Sequence, residues 1–219
     1  MGEELRLTTA DGHVLGAYQA RPAGKPRGGL LVLQEVFGVT DHIKRVTDGF
    51  AEQGYLAIAP ALFDRVEPGI TLPYTEVELG RDTMLQLDLE ASVQDMAAAA
   101  AALEGAGKLA AVGYCWGGAM ADLAACRLNL DAAVSYYGGR ITSWLKLKPT
   151  CPVMYHFGGQ DPLIPADVVD QIRAGRPDGV FHIYPNAGHG FNCDERADFA
   201  PESAAAALER TLAFLDEHL

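Results

Sequence analysis

From Gly28 onward the sequence alternates short apolar runs with longer helical stretches, and this alternation limits the folds open to the chain. Strands are predicted at 29–34, 55–59, 109–114, 132–137, 152–157 and 180–184, and helices near 40–53, 81–104, 116–128, 165–174 and 201–217. Strands that alternate with helices favour an α/β fold, with a mostly parallel central sheet and helices on both of its faces.

Two segments depart from this alternation. Residues 4–21 are predicted to form a hairpin, because Asp11-Gly12 is a strong tight-turn pair between two extended runs. Between Pro60 and Gly80 the chain is rich in proline and glycine and has no periodicity, so a surface loop is expected. Since α/β proteins bind ligands beyond the carboxyl ends of strands, this loop either covers a substrate or is an idle surface loop.

The size and charge of the chain limit how many domains it is expected to form and which kinds of partner it is expected to bind. It has 219 residues, of which 49% are hydrophobic, and its four cysteines form no C-x-x-C pair. This is enough for one core without disulfides or a metal, so a single domain over 1–219 is expected, as a monomer or weak oligomer. A net charge of −12 repels nucleic acid and anionic membranes. No signal-peptide pattern or membrane-spanning apolar run is found in the sequence, which favours a cytoplasmic location.

The motif Gly113-Tyr114-Cys115-Trp116-Gly117 joins a predicted strand directly to a predicted helix. This G-x-C-x-G has the form of the nucleophile elbow G-x-S-x-G, with sulfur in place of oxygen and glycines that permit a very tight turn. A helix start also favours a reactive thiolate. A lone cysteine is more often a small buried hydrophobe, so the motif alone leaves a packing role open.

Two later segments supply the other members of a catalytic triad. Asp161 follows the predicted strand 152–157, and His189 follows 180–184 in a loop of small residues. Cysteine, acid and histidine then occur in the chain order that α/β-hydrolases use. Asp161 would orient the imidazole of His189, which would exchange protons with Cys115 and the leaving group. Taken singly, an aspartate before proline can simply start a turn, and a histidine between glycines can simply decorate a loop.

An oxyanion hole is predicted from the backbone amides of Trp116, next to the nucleophile, and Val36, in the loop after an early strand. Glu35 interrupts the apolar run LVLQEVFGV. If it faces the elbow, its carboxylate opposes thiolate formation or accepts a hydrogen bond from the thiol. The alternative is a surface glutamate.

LQEVFGV, GYCWGG, GGQDPLIP and NAGHGF together resemble the dienelactone hydrolase family over essentially the whole chain. The resemblance implies hydrolysis of an unsaturated lactone that carries a carboxylate. No histidine spacing in the sequence suggests a metal site, and the predicted reaction needs no cofactor. The resemblance also implies that Glu35 holds the resting thiol and moves when substrate binds. The family's arginine after the histidine aligns with Cys193, and its second arginine lies about one helical turn from Arg81. The substrate anion could therefore meet Arg81 and Arg196.

Arg81, Phe37 and Tyr137 are the candidates for substrate contact, although Tyr136 and Tyr137 are also typical of a buried aromatic pair. The sequence thus predicts an ester or lactone hydrolase that acts through a Cys115-His189-Asp161 triad and a thioester. One alternative is a carboxylesterase or acyl-transfer enzyme for neutral esters. Another is a ligand-binding member of the fold that has no catalytic activity.

Overall fold

A computed structural model describes residues 2–219, and the chain divides into two compact units, the first ending at Ala110 and the second running from Ala111 to Leu219. The strands are β1 (Glu3–Thr8), β2 (Val14–Ala20), β3 (Gly29–Leu33), β4 (Leu56–Pro60), β5 (Leu109–Tyr114), β6 (Ala132–Tyr136), β7 (Val153–Gly158) and β8 (Val180–Tyr184). The α-helices are α1 (Asp41–Glu52), α2 (Val77–Leu85), α3 (Leu89–Ala101), α4 (Trp116–Arg127), α5 (Ala166–Gly175) and α6 (Pro201–His218), and 3₁₀ helices cover Leu62–Arg65 and Gly139–Trp144. The single domain over 1–219 stays a prediction.

The first unit contains the predicted hairpin and the start of the parallel region. β1 pairs antiparallel with β2, β2 pairs antiparallel with β4, and β4 pairs parallel with β3. The turn between β1 and β2 contains Gly12, whose φ of 85° lies in the left-handed region that glycine tolerates. Every residue of β3 and β4 is buried, as their continuous apolar sequences require.

The predicted helix 81–104 is wrong as a single element, because the chain forms α2 and α3 with a break at residues 86–88. Asp88 causes a new helix, α3, to begin after the break. Its Oδ1 accepts a hydrogen bond from the Ala91 amide at 2.8 Å and so caps α3. The predicted loop 60–80 is also too long, since it contains a 3₁₀ helix and the first residues of α2.

The second unit is an α/β arrangement of parallel strands. β6, β7 and β8 are parallel neighbours, with Ser135 opposite Tyr155 and Tyr155 opposite Phe181. α4 follows β5 after one residue, and ten of its twelve residues are buried, which its many alanines and glycines allow. The predicted α/β class with mostly parallel strands is confirmed. No helix among residues 2–219 is both long enough and apolar enough to cross a membrane.

A buried ion pair fixes α4 within this unit. The Arg176 Nε and Nη2 atoms donate to the two carboxylate oxygens of Asp122 at 2.8 Å each. Tyr155 of β7 donates to the same carboxylate at 2.6 Å, and the Trp144 indole donates at 2.9 Å. α4 begins next to Cys115 and β7 ends shortly before Asp161, so this network stabilises the elements that carry two of the three triad candidates.

Candidate active site

Cys115 occupies a strained turn between β5 and α4. Its φ is 55° and its ψ is −118°, a conformation that side chains with a Cβ rarely adopt. The Cys115 amide donates to the Tyr136 carbonyl at 2.9 Å and holds the turn against the end of β6. A Cβ atom added at Gly113 would lie 1.9 Å from the Gly117 carbonyl oxygen, so the turn requires glycine there. These are the features of a nucleophile elbow.

His189 lies between Cys115 and Asp161. Its Nε2 is 3.0 Å from the Cys115 Sγ, and its Nδ1 is 2.8 Å from the Asp161 Oδ2. The histidine and the aspartate are 7% and 4% exposed, whereas the cysteine is half-buried. The three predicted triad residues are therefore close enough for proton exchange, and Cys115 is the least buried residue of the three.

The Asp161 carboxylate is oriented by the backbone that follows it. Its Oδ1 accepts hydrogen bonds from the amides of Leu163 at 2.8 Å and Ile164 at 3.2 Å, which leaves Oδ2 for His189. Asp161 thus starts a turn, as an aspartate before proline often does, and also contacts the imidazole. The two interpretations of this residue are compatible, and the Leu163 and Ile164 amides were not foreseen in the sequence.

The charges around His189 favour its protonated form. Burial is the largest single influence and lowers the pKa of His189, but Cys115 and Asp161 together outweigh it and raise the pKa to about 10. The imidazole therefore carries a proton at neutral pH, with an anionic or hydrogen-bonding atom next to each ring nitrogen. Both neighbours therefore favour the charged form of the imidazole over the neutral form.

Glycines on both sides of His189 let other side chains approach its loop closely. A Cβ atom at Gly190 would lie 2.7 Å from the Arg196 Cζ, so the guanidinium packs against the backbone next to the histidine. Arg196 is also 3.8 Å from the Asp198 carboxylate. Cys193, two residues beyond Phe191, is fully buried. Arg196 therefore lies next to His189, and its contact with a substrate anion stays a prediction.

The other candidates lie in the first unit. Glu35 and Val36 follow β3 and are 1% and 5% exposed, so the alternative of a surface glutamate is wrong. Phe37 is also buried, and its ring packs edge-on against Tyr74 at 4.7 Å. Arg81 is exposed on α2. The roles predicted for these residues stay predictions.

The segment after β4 packs onto the same loop. The Leu72 amide donates to the Phe37 carbonyl at 2.9 Å, and the Thr40 and Tyr74 hydroxyls are 3.0 Å apart. Gly80 of α2 lies so close to Val36 that an added Cβ would be 2.1 Å from its carbonyl oxygen. Residues 71–80 thus cover the loop that carries Val36 and Phe37.

Tyr136 and Tyr137 are both fully buried, with ring centroids 6.2 Å apart, as the alternative of a buried aromatic pair predicts. Substrate contact by Tyr137 stays a prediction. The sequence analysis missed two features of this pair: Tyr137 has a left-handed φ of 43°, and its ring centroid is 5.2 Å from that of His189.

Comparison with known proteins decides the family. Residues 15–219 match the model of the dienelactone hydrolase family. The chain belongs to the dienelactone hydrolase family. The carboxymethylenebutenolidase of Pseudomonas putida is 35% identical, and the match covers 97% of this chain and 95% of that protein. Carboxymethylenebutenolidase 1 of Cupriavidus pinatubonensis is 31% identical, over 98% of this chain and 97% of its own.

Solved structures of the dienelactone hydrolase family share the fold. A crystal structure from Klebsiella pneumoniae, provisionally named a dienelactone hydrolase, has a TM-score of 0.83 at 30% identity, over 97% of this chain and 98% of that one. A dienelactone hydrolase-like phosphotriesterase, P91, has a TM-score of 0.79 at 21% identity, over 99% and 98% of the two chains, which supports the fold alone. The predictions of an α/β-hydrolase fold and of an ester or lactone hydrolase are confirmed.

Proposed function

We propose that this dienelactone hydrolase family member cleaves its substrate through a Cys115-His189-Asp161 triad and a thioester intermediate. The observation that supports the proposal is the position of the His189 imidazole, with one nitrogen 3.0 Å from the Cys115 sulfur and the other 2.8 Å from the Asp161 carboxylate. A buried, charged histidine between a thiol and a carboxylate is the arrangement that activates a cysteine nucleophile.

The reaction proceeds in two stages. The Cys115 thiolate attacks the carbonyl carbon and forms a C–S bond, and the tetrahedral oxyanion is stabilised by the Trp116 amide at the start of α4. The C–O bond to the leaving oxygen then breaks, and that oxygen takes the proton from His189. Water next gives a proton to His189 and attacks the thioester carbonyl, which releases the carboxylic acid and regenerates the thiolate–imidazolium pair.

The proposed substrate is a lactone that bears a carboxylate, of the carboxymethylenebutenolide type named in the Pseudomonas putida relative. A protein with a net charge of −12 repels such an anion, so a local cation is needed to hold it. Arg196 is suited to this role because its guanidinium packs against Gly190, next to the triad histidine. Arg81, exposed on α2, is the second candidate.

The nucleophile assignment is tested with Cys115→Ala and with Cys126→Ala as a matched control. Cys126 is also half-buried in the second unit, but it lies at the other end of α4. Turnover of activated esters and lactones should fall by at least about a thousandfold in Cys115→Ala and stay near wild type in Cys126→Ala. Undiminished turnover in Cys115→Ala would show that Cys115 is not the nucleophile.

A carboxylesterase for neutral esters is the second candidate, because the family resemblance places Cys193 at the position of an arginine that would hold the substrate carboxylate. Arg196→Gln separates the two functions. If Arg196 holds a carboxylate, kcat/KM should fall by about tenfold or more for the anionic lactone and stay nearly constant for a neutral ester of similar size. An equal effect on both substrates, or no preference of the wild type for the anion, favours the neutral-ester function.

The catalytically inactive alternative is tested on the resting protein. Iodoacetamide should alkylate Cys115 faster than free cysteine at mildly acidic pH if His189 holds it as a thiolate. Labelling that is no faster than for free cysteine favours a binding protein.

Glu35→Gln in the same iodoacetamide assay tests the prediction that this carboxylate restrains the thiol. If it does, Cys115 should be alkylated faster in the variant than in wild type.

A further inference from the structure

Tyr137 shares an unusual property with the proposed nucleophile. Among the non-glycine residues of the described range 2–219, Cys115 and Tyr137 alone have a positive φ, at 55° and 43°. A left-handed conformation is costly for a residue with a bulky side chain and persists only where surrounding contacts enforce it. The two residues come directly after the ends of β5 and β6, which makes them equivalent positions on two strands.

Both of these strained residues contact the same imidazole. The Cys115 sulfur lies 3.0 Å from His189 Nε2, and the Tyr137 ring meets the His189 ring at a centroid distance of 5.2 Å and an interplanar angle of 61°. This is the edge-to-face geometry that aromatic rings favour. One strained residue thus contacts the edge of the imidazole at Nε2, and the other packs its ring against the same imidazole.

Packing contacts and a backbone hydrogen bond hold the Tyr137 ring in place. The side chain is fully buried, and the ring packs edge-on against Phe191 at 5.3 Å, two residues beyond His189. The Tyr137 amide donates to the His156 carbonyl at 2.7 Å, which continues the β6–β7 pairing by one residue despite the left-handed φ. Backbone and ring are therefore both held in place, and the ring cannot move away from the imidazole without repacking the core.

We infer that Tyr137 is a positioning residue that fixes the plane of the His189 imidazole, so that Nε2 faces the Cys115 sulfur while Nδ1 faces Asp161. The inference rests on the proposed triad. An imidazole hydrogen-bonded at both nitrogens is still free to tilt about the line that joins its two partners. The Tyr137 ring opposes that tilt, since it packs edge-to-face against the imidazole with the ring centroids 5.2 Å apart.

The test compares Tyr137→Leu with Tyr136→Leu. Both replace a fully buried tyrosine in the same aromatic cluster, but the Tyr136 ring packs against His156 and Phe191 rather than against His189. The His189 pKa is measured by NMR titration of the imidazole in resting protein, and kcat and KM are measured with an activated ester. Because the titration needs no turnover, its result stands even if Cys115 proves not to be the nucleophile.

For Tyr137→Leu we expect a lower His189 pKa than in wild type, and a kcat that falls by about tenfold or more with KM within about twofold. Tyr136→Leu should leave the His189 pKa unchanged and kcat within about twofold. Tyr137→Phe keeps the ring and should keep the His189 pKa of wild type. Equal effects of the two leucine variants, or an unchanged His189 pKa in Tyr137→Leu, would overturn the inference.

Tyr137→Met covers the case in which Tyr137→Leu does not fold. Methionine is flexible and fills irregular core space, but it has no ring with which to contact the imidazole. The same fall in the His189 pKa and in kcat is expected. A wild-type His189 titration in folded Tyr137→Met would overturn the inference.

Discussion

Replacing Arg176 with methionine is expected to destabilise the protein severely. The Asp122 carboxylate is fully buried and has four hydrogen-bond donors, two of them from Arg176 at 2.8 Å and one each from Tyr155 and Trp144. The substitution removes the charged partner of this carboxylate and two of its four donors. Leaving one member of a buried ion pair without the other costs about 3–5 kcal/mol. In a protein of this size that corresponds to a fall in Tm of about 6–20 °C.

A double-mutant cycle measures the interaction itself. Arg176→Met, Asp122→Leu and the double variant are unfolded in urea, and the free energies of unfolding are compared. The double variant has no buried charge, so its loss of stability should be smaller than the sum of the single losses by about 2 kcal/mol or more. The reasoning fails if Arg176→Met costs less than about 1 kcal/mol, or if the single losses add to within about 0.5 kcal/mol.

Three further predictions concern pH, helix capping and the elbow. Burial lowers the pKa of His156 well below its ordinary value, so only the unfolded chain takes up that proton as the pH falls below about 6.5. The free energy of unfolding should therefore fall by up to about 1.4 kcal/mol per pH unit, and urea titrations should show a smaller slope in His156→Gln. Asp88→Ala removes the cap of α3 and should cost about 1 kcal/mol in thermal unfolding, whereas Asp88→Asn should cost less. Gly113→Ala should reduce both stability and turnover, because its Cβ would lie 1.9 Å from a carbonyl oxygen. Gly12→Ala is the control, since it has a positive φ but no atom within 4 Å of the added Cβ, and a smaller loss in Gly113→Ala than in Gly12→Ala would contradict the argument.

The positions of the three triad candidates were predictable because their signals are local. Cys115, Asp161 and His189 each follow an apolar strand, and each is followed or flanked by residues that force a turn. The chain order of the three side chains then points to one reaction class, and the structure brings all three within hydrogen-bonding distance. The hairpin and the strand positions were predictable for the same reason, since apolar runs and the Asp11-Gly12 pair act over a few residues.

The features that were missed depend on distant contacts. From the sequence, Arg176 looks like an ordinary charged residue that follows a helix. Nothing near it in the sequence shows that its carboxylate partner lies 54 residues earlier. The left-handed φ of Tyr137 has no local signal either, because tyrosine disfavours it and the conformation comes from packing. The break between α2 and α3 did have a signal in Asp88, but the helical periodicity on both sides obscured it.

The separation of the triad along the chain has a consequence for how the protein is made. The imidazole proposed to activate Cys115 lies 74 residues further along, so a growing polypeptide contains this cysteine long before it contains His189. Until the later segment is synthesised and folded, the sulfur is an ordinary thiol with no adjacent base. If Cys115 acts as proposed, its enhanced reactivity arises only when the later segment has folded, and the nascent cysteine reacts more slowly with electrophiles than the folded one. The alkylation rate of Cys115 thereby also reports on the completion of folding.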